Sequence, residues 1–377
     1  MNPTDKKIRY LKNAYYLTAN TLIFIAVLLV CSHVFLARES TATIDNFAQN
    51  FSKERRAAYG HMTDQEINEL LNSTWNPSIG GWLYDDWVGF VEAPRKTRFV
   101  NVNAYGIRQN SREPIAMDDL NGSIWFFGGS TTFGYGVADK ETIPAQLEKI
   151  LKTRVINFGR GYFYSAQENQ LLREYLKAGY RPKMVIFLDG VNERCDIEVY
   201  QKEMESLFEE ASEYSWDFTD AVYPITVLSD ELKTRFGFKK THGSTDMAQD
   251  DLHELSCRSY GKTIPLSDVL QQNMSERNFI CNDYSLNCNT YVQPFAGVHG
   301  IHSDFKTYKA SDRKKLQKKF DALKSTWAGS GSTFITDALD KLHKHAYVDD
   351  CHYSAEAGEL IANEMAKKLT EKPGRVN

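Results

Sequence analysis

Gly128-Gly129-Ser130-Thr131-Thr132-Phe133-Gly134 sets a serine between an apolar run, Ile124-Trp125-Phe126-Phe127, and a segment of helical character. A nucleophile can sit at such a junction. The stretch gains weight from Asp349-Asp350-Cys351-His352 far downstream, where an aspartate stands three residues ahead of a histidine at another strand-to-helix junction. An early serine and a late Asp/His pair are the parts of a Ser-His-Asp system, which is recognised by geometry and roles and not by one chain order. The first reading is therefore a serine hydrolase.

Composition leaves room for that chemistry. The chain has 377 residues, 42% of them hydrophobic and only 10 of them proline, which suits one or two globular domains with a sizeable core. A formal net charge of −4 is small for this length, and the basic pairs Lys314-Lys315 and Lys318-Lys319 read as one solvated helix face, so no nucleic-acid partner is expected.

Residues 17–37 carry no Asp, Glu, Lys or Arg, and roughly 20 apolar residues span a bilayer as a helix. Lys6, Lys7, Arg9 and Lys12 precede the span and Tyr15-Tyr16 sit at its interface, so the positive-inside rule leaves the N-terminus in the cytoplasm. The expectation is a single-pass inner-membrane protein: residues 1–14 cytoplasmic, 15–37 a transmembrane helix, 38–74 a helical stalk, and the remainder periplasmic. A cleaved signal peptide is disfavoured because Phe35-Leu36-Ala37 lacks a small first residue and the segment is long for an h-region. Bulky Val30 before Cys31 argues against lipidation.

Past that span lie Cys195, Cys257, Cys281, Cys288 and Cys351. Cysteines in an oxidising compartment tend to pair. Cys281 and Cys288, in a turn-rich stretch, are the best candidate pair, and the other three must leave at least one thiol free. No CxxC or Cys/His knuckle spacing supports zinc, and His299/His302 and His343/His345 read as surface histidines. Neither a metal nor a cofactor is expected.

Aromatic, Gly-rich residues 75–120 read as a lead-in of short strands and turns. Beyond them the pattern alternates: strands at Ser123 to Phe127, Arg154 to Phe158 and Met184 to Leu188, and helices at Ile143 to Leu151 and Ala166 to Ala178. Such alternation indicates a buried parallel sheet with helices on both faces, a three-layer α/β/α fold. Ligands in that architecture bind outside the carboxyl ends of the strands. Three polar clusters fall at that edge: Gly129-Ser130, Asn157-Phe158-Gly159-Arg160-Gly161, and Asp189-Gly190-Val191-Asn192-Glu193. Residues 196–300 break the alternation and read as a cap or insertion shaping substrate access.

These blocks, in this order, resemble the SGNH (GDSL-like) hydrolase family: a Gly-bracketed serine, a glycine after the second strand, Gly-x-Asn after the third, and Asp-x-x-His near the C-terminus. The resemblance covers residues 121–372 apart from the insertion. It implies that Ser130 is the nucleophile, His352 its base and Asp349 the acid that orients the base. It also implies an oxyanion hole built from the Ser130 N–H, the N–H of Gly161 or of Gly159, and the Asn192 side-chain amide. The opening block departs from Gly-Asp-Ser, with Gly129 in place of the aspartate, and Thr132 rules out the Gly-x-Ser-x-Gly elbow of α/β-hydrolases.

Each residue also has a bland role. Ser130 can cap a helix, Asn192 can end a strand in a turn, Asp349 or Asp350 can cap the helix beginning near Ala355, and His352 can lie on the surface. Glu193, Arg160 and Gln293 are pocket candidates, with salt-bridged structure the plainer reading for the charged pair. Trp82, Trp87 and Tyr162 are candidates for stacking on sugar rings, with core packing the plainer reading. The combined reading is an esterase acting on O-acyl groups, with an acylated extracytoplasmic glycan or a small ester as substrate. Alternatives are a sugar O-acetyltransferase using the same residues, a non-catalytic glycan-binding envelope assembly factor, and a lipid esterase.

Overall fold

The computed structural model describes residues 12–25, 27, 51, 53–76, 79–110, 114–194, 255–259, 261–299, 310–342 and 345–371. The chain divides into two compact units, Met1–Asn46 with Phe208–Gly243, and Phe47–Leu207 with Ser244–Asn377. Of the first unit the described part is a helix over residues 12–25. No helix among the described residues is long and apolar enough to cross a membrane. Residues 26 and 28–37 of the expected span, 38–50 of the expected stalk and 196–254 of the expected insertion lie outside the described residues.

The second unit opens with α1 (Lys53–Ala57) and α2 (Asp64–Trp75). A capping box starts α2: the Glu66 N–H donates to the Thr63 hydroxyl at 3.3 Å, and the Thr63 N–H donates to the Glu66 carboxylate at 3.0 Å. Its apolar residues recur at helical spacing, and Ile67, Leu70 and Leu71 bury against Val100, Val102, Phe133, Tyr135 and Val348. This corrects the stalk expectation: residues 53–75 are part of the folded domain, because that stripe has a core to meet. Two hairpin-like pairs follow, β1 (Trp82–Asp85) with β2 (Gly89–Glu92), and β3 (Arg95–Lys96) with β4 (Asn101–Val102).

The α/β core then runs β5 (Ile124–Gly128), α3 (Ser130–Phe133), α4 (Ile143–Leu151), β6 (Val155–Asn157), α5 (Ser165–Lys177) and β7 (Met184–Asp189). After β8 (Ser256–Ser259) and β9 (Lys262–Pro265) come α6 (Leu266–Asp283), β10 (Cys288–Val292), α7 (Ala310–Gly329), β11 (Thr333–Phe334) and α8 (Ala355–Glu371). Five strands form one parallel sheet in the order β11-β10-β7-β5-β6. Side chains alternate across a strand, which sorts the core. Ile124, Phe126, Ile186 and Leu188 face α4 and α8 through Leu147, Ile361 and Met365, whereas the Trp125 ring packs on Tyr175 of α5 on the other face.

The 196–300 expectation is corrected as well, since α6 and β10 belong to the core. β10 pairs with β7 along its length, from Cys288 opposite Val185 to Val292 opposite Asp189. Its polar start, Cys-Asn-Thr, carries no apolar run, and α6 buries Asn273 and Arg277 on its inner face, so neither element shows the expected pattern. A Cys281–Cys288 disulfide ties the end of α6 to β10. Cys257 is also disulfide-bonded, and Cys351 is free.

Candidate active site

The loops after β5, β6 and β7 interlock at one edge of the sheet. Ser130 is the first residue of α3 and Gly129 is its N-cap, so the Ser130 hydroxyl is not spent on capping. A Cβ on Gly129 would lie 2.2 Å from Asn192 Nδ2, and one on Gly159 would lie 2.2 Å from the Phe133 nitrogen. The two glycines thus let the loops after β7 and β6 close onto the start of α3. Asn192 donates one amide hydrogen to the Phe163 carbonyl at 2.9 Å, which holds its side chain against the serine turn. The Ser130 N–H belongs to the first turn of the helix, where donors have no intrahelical partner.

Asp349 and His352 meet directly. Asp349 Oδ2 and His352 Nδ1 are 2.7 Å apart, while Asp349 Oδ1 accepts the N–H groups of Cys351 at 2.9 Å and His352 at 2.8 Å. Burial disfavours charge on both partners, but their mutual attraction and these hydrogen bonds outweigh it. Asp349 is held below the usual carboxylate range and His352 well above the usual imidazole range. Asp350 shifts the other way, raised by burial and then by the charge of Asp349. Neither aspartate caps α8: the Ser354 hydroxyl accepts the Ala357 N–H. The His352 ring is buried between aromatics, stacked on Tyr135 at 5.5 Å between centroids and edge-on to Trp75 at 5.4 Å.

Asp349, Cys351 and His352 also bring donor atoms within 4.8 Å of one another, a spacing that a metal ion could share. The carboxylate's direct hydrogen bond to the imidazole is instead the arrangement of an acid that orients a base.

Two expected contacts differ. The Ser130 hydroxyl makes no hydrogen bond to His352 or to any other described residue, so the expected serine-to-histidine contact is not closed in this structure; such contacts often tighten only with substrate. Gly161 is a correction to the expected oxyanion hole: its N–H donates to Glu92 Oε1 at 3.0 Å, and the alternative, the Gly159 N–H, donates to Asn157 Oδ1 at 2.9 Å. Tyr162 follows Gly161 with a positive φ of 60°.

Glu92, Tyr135 and Trp75 were not legible as site residues. Glu92, at the end of β2, is fully buried; beyond Gly161 it accepts the Tyr135 hydroxyl at 2.7 Å and pairs with Arg95 at 2.8 Å. One carboxylate therefore links the loop after β6 to the ring that supports His352. A lone Glu in an aromatic hairpin carries no sequence signal for this, although Tyr135, one residue past the quoted serine stretch, lay within reach of one.

Behind Asn192 lies a buried polar network. Arg277 pairs with Asp189 at 2.8 Å and with Glu168 at 3.0 Å, and Glu193 accepts the Ser165 hydroxyl at 2.7 Å. Burial, then the charge of Asp189, pushes the Glu193 carboxyl up to about 7. Burial also pulls Lys319 down to about 7; its ammonium donates to the Val191 carbonyl at 3.0 Å. Gln293 accepts the Tyr353 hydroxyl at 3.1 Å. Arg160 makes no ion pair with a described residue, contrary to the salt-bridged expectation.

No protein-family model matches the chain, and no curated protein does. Among solved structures it is similar to a lipolytic protein of the G-D-S-L family from Desulfitobacterium hafniense, at 12% identity and TM-score 0.37 over 66% of this chain and 99% of that one. An arylesterase from Agrobacterium tumefaciens is similar at 15% identity and TM-score 0.34, covering 66% of this chain and 99% of its own. Est24, a carbohydrate acetylesterase from Sinorhizobium meliloti, is similar at 12% identity and TM-score 0.33, over 67% of this chain and 99% of its own.

Proposed function

We propose that this protein is a serine esterase that cleaves O-acyl esters, with Ser130 as nucleophile, His352 as general base and Asp349 orienting the base. The observation that carries the reading is the part-buried 2.7 Å Asp349–His352 pair standing on Tyr135, five residues past Ser130 and against the same turn. In the acylation step His352 Nε2 takes the Ser130 proton as Oγ attacks the ester carbon. The tetrahedral oxyanion is held by the Ser130 N–H and the second N–H of Asn192, and the alcohol leaves with the proton returned by His352. Water then repeats the sequence to release the acid. Each oxyanion donor is worth roughly 100-fold to 1000-fold in turnover.

For the natural ester we infer an O-acetyl group on an extracytoplasmic glycan, with the domain facing the periplasm from an N-terminal membrane helix. Supporting the compartment are the Cys281–Cys288 disulfide and the bonded state of Cys257, since disulfides persist in oxidising environments. The test of the chemistry is covalent labelling with a fluorophosphonate probe together with hydrolysis of p-nitrophenyl acetate. Wild-type protein should react in both and Ser130→Ala in neither; hydrolysis retained by well-folded Ser130→Ala would refute the serine mechanism.

A further inference from the structure

A cavity of about 410 Å³ lies between the β1–β2 hairpin and α5, and none of Ser130, Asn192 or His352 lines it. That volume is within the range of small-ligand pockets. Its wall includes Arg160, which belongs to the loop after β6 and is only 1% exposed. The guanidinium donates from Nη1 to the Phe90 carbonyl at 3.2 Å, while Nε has no hydrogen-bond partner. No described carboxylate reaches ion-pair distance, although Asp85 is near enough to act on its charge. A buried cation with unused donor capacity is costly unless something answers it.

Other parts of the wall are of two kinds. Trp87 is 63% exposed, with the Lys177 ammonium over its ring at 5.4 Å, and Tyr105 is 54% exposed. Asp85 and Glu174 offer carboxylate oxygens. Asp85 Oδ1 accepts the Trp87 and Val88 N–H groups, and Glu174 Oε1 accepts from Gln170 and Lys177, whereas the second oxygen of each accepts nothing from a described residue.

Flat faces, two free acceptors and one forked donor select the ligand class. A purely apolar molecule would strand Arg160 and both carboxylates. A phosphate or other multiply charged anion would meet two carboxylates, one of them paired with Lys177 at 3.0 Å, against a single lining cation, Arg160. A neutral pyranose suits all three features: its C–H face packs on an aromatic ring, and its hydroxyls donate to carboxylates while accepting from a guanidinium.

We propose that this groove is a binding subsite for a neutral saccharide. On the esterase reading, from which this last part follows, it holds a sugar unit of the glycan whose acyl group Ser130 removes. The connection is short. The Arg160 backbone N–H donates to the Gly128 carbonyl at 3.1 Å, two residues before Ser130, while its side chain lines the groove.

The test uses the full chain and a printed array of plant, animal and bacterial glycans free of acyl esters, followed by titration of retained glycans against tryptophan fluorescence. Wild type and Ser130→Ala should bind the same neutral glycans, and Trp87→Ala or Tyr105→Ala should weaken binding by at least about tenfold. The proposal is overturned if wild type retains no glycan, if only charged glycans bind, or if both ring variants bind as wild type does. Glycan binding without Ser130-dependent ester hydrolysis would keep the groove and remove the esterase; hydrolysis without glycan binding would do the reverse.

Discussion

Replacing Glu92 by Gln tests whether the hairpin is part of the catalytic machinery's support. Glu92 and Arg95 form an ion pair whose side chains are 0% and 1% exposed. Arg95 has no other compensation among hydrogen bonds: its Nε and Nη1 are buried without partners, and its guanidinium otherwise lies over the Phe133 ring at 5.3 Å. It sits so close that a Cβ on Gly80 would be 1.7 Å from Nη1, so the cation has no room to leave. Gln keeps one oxygen for Tyr135 and Gly161 but turns an NH₂ group toward Arg95, donor against donor. Breaking a buried pair costs about 3–5 kcal/mol, a large part of the 5–15 kcal/mol that usually holds a domain together. Glu92→Gln should therefore lower the denaturant midpoint sharply. Glu92→Gln/Arg95→Met, which removes the stranded charge as well, should recover most of the loss. With Tyr135 and Gly161 no longer held by a carboxylate, p-nitrophenyl acetate turnover in the double variant should stay about tenfold or more below wild type at a temperature where both are folded. Wild-type stability in Glu92→Gln, or a double variant no more stable than the single, would refute the argument that an uncompensated Arg95 sets the cost. Wild-type turnover in the double variant would show that Glu92 positions nothing.

Asp349→Asn should cost about 10⁴-fold in turnover, as loss of an orienting aspartate does elsewhere, and Asp350→Asn less than about threefold; the reverse order would reassign the acid. The proposed mechanism requires neutral His352, which its partner Asp349 holds well above the usual imidazole range, so kcat/KM should fall as pH drops through a limb above 6.5. In Asp349→Asn, where burial acts without the attraction, the limb should move to lower pH; an unmoved limb assigns it to another group. Glu193 is pushed up to about 7 in the folded state against 4.5 for an ordinary glutamate, so the folded state binds the extra proton between them and stability declines as pH rises through that window. Glu193→Gln should flatten this slope in denaturant titrations at several pH values, and an unchanged slope would exclude Glu193 as its source. A reporter active only outside the cytoplasm, fused after Asn377, should be active, and Cys281 and Cys288 should resist alkylation until reduced; a silent fusion with both thiols reactive would place the domain in the cytoplasm.

What could be read from the chain depended on how each element records its burial. β5 and β7 lie inside the sheet, and β6 at its edge is buried along its length, so Ile124-Trp125-Phe126-Phe127 and Met184-Val185-Ile186-Phe187-Leu188 are unbroken apolar runs, and the polar clusters that follow the three strands had to fall on one edge. β10 borders the two-residue β11, and only its last two residues are buried, so it carries no such run and its sequence reads as part of an insertion. α2 shows a sound apolar stripe, but a stripe does not name its partner, and its position after a supposed membrane span made it look like a stalk.

The same distinction governs the site. Ser130, Asn192, Asp349 and His352 could be found because each follows or precedes a legible element, and because Asp-x-x-His is local: a three-residue offset alone brings Asp349 Oδ2 to the imidazole. The resemblance implies Gly161, or Gly159, as an oxyanion donor, and the Gly161 N–H instead meets Glu92, a residue 69 positions earlier. Long-range polar contacts of that kind leave no periodicity and no motif. They arise because a buried carboxylate must find donors wherever the fold supplies them, and here it finds three, on three separate segments. Whether the Gly161 N–H is available for catalysis thus turns on a contact that no pattern in residues 157–165 could reveal, and replacing Glu92 is the way to ask.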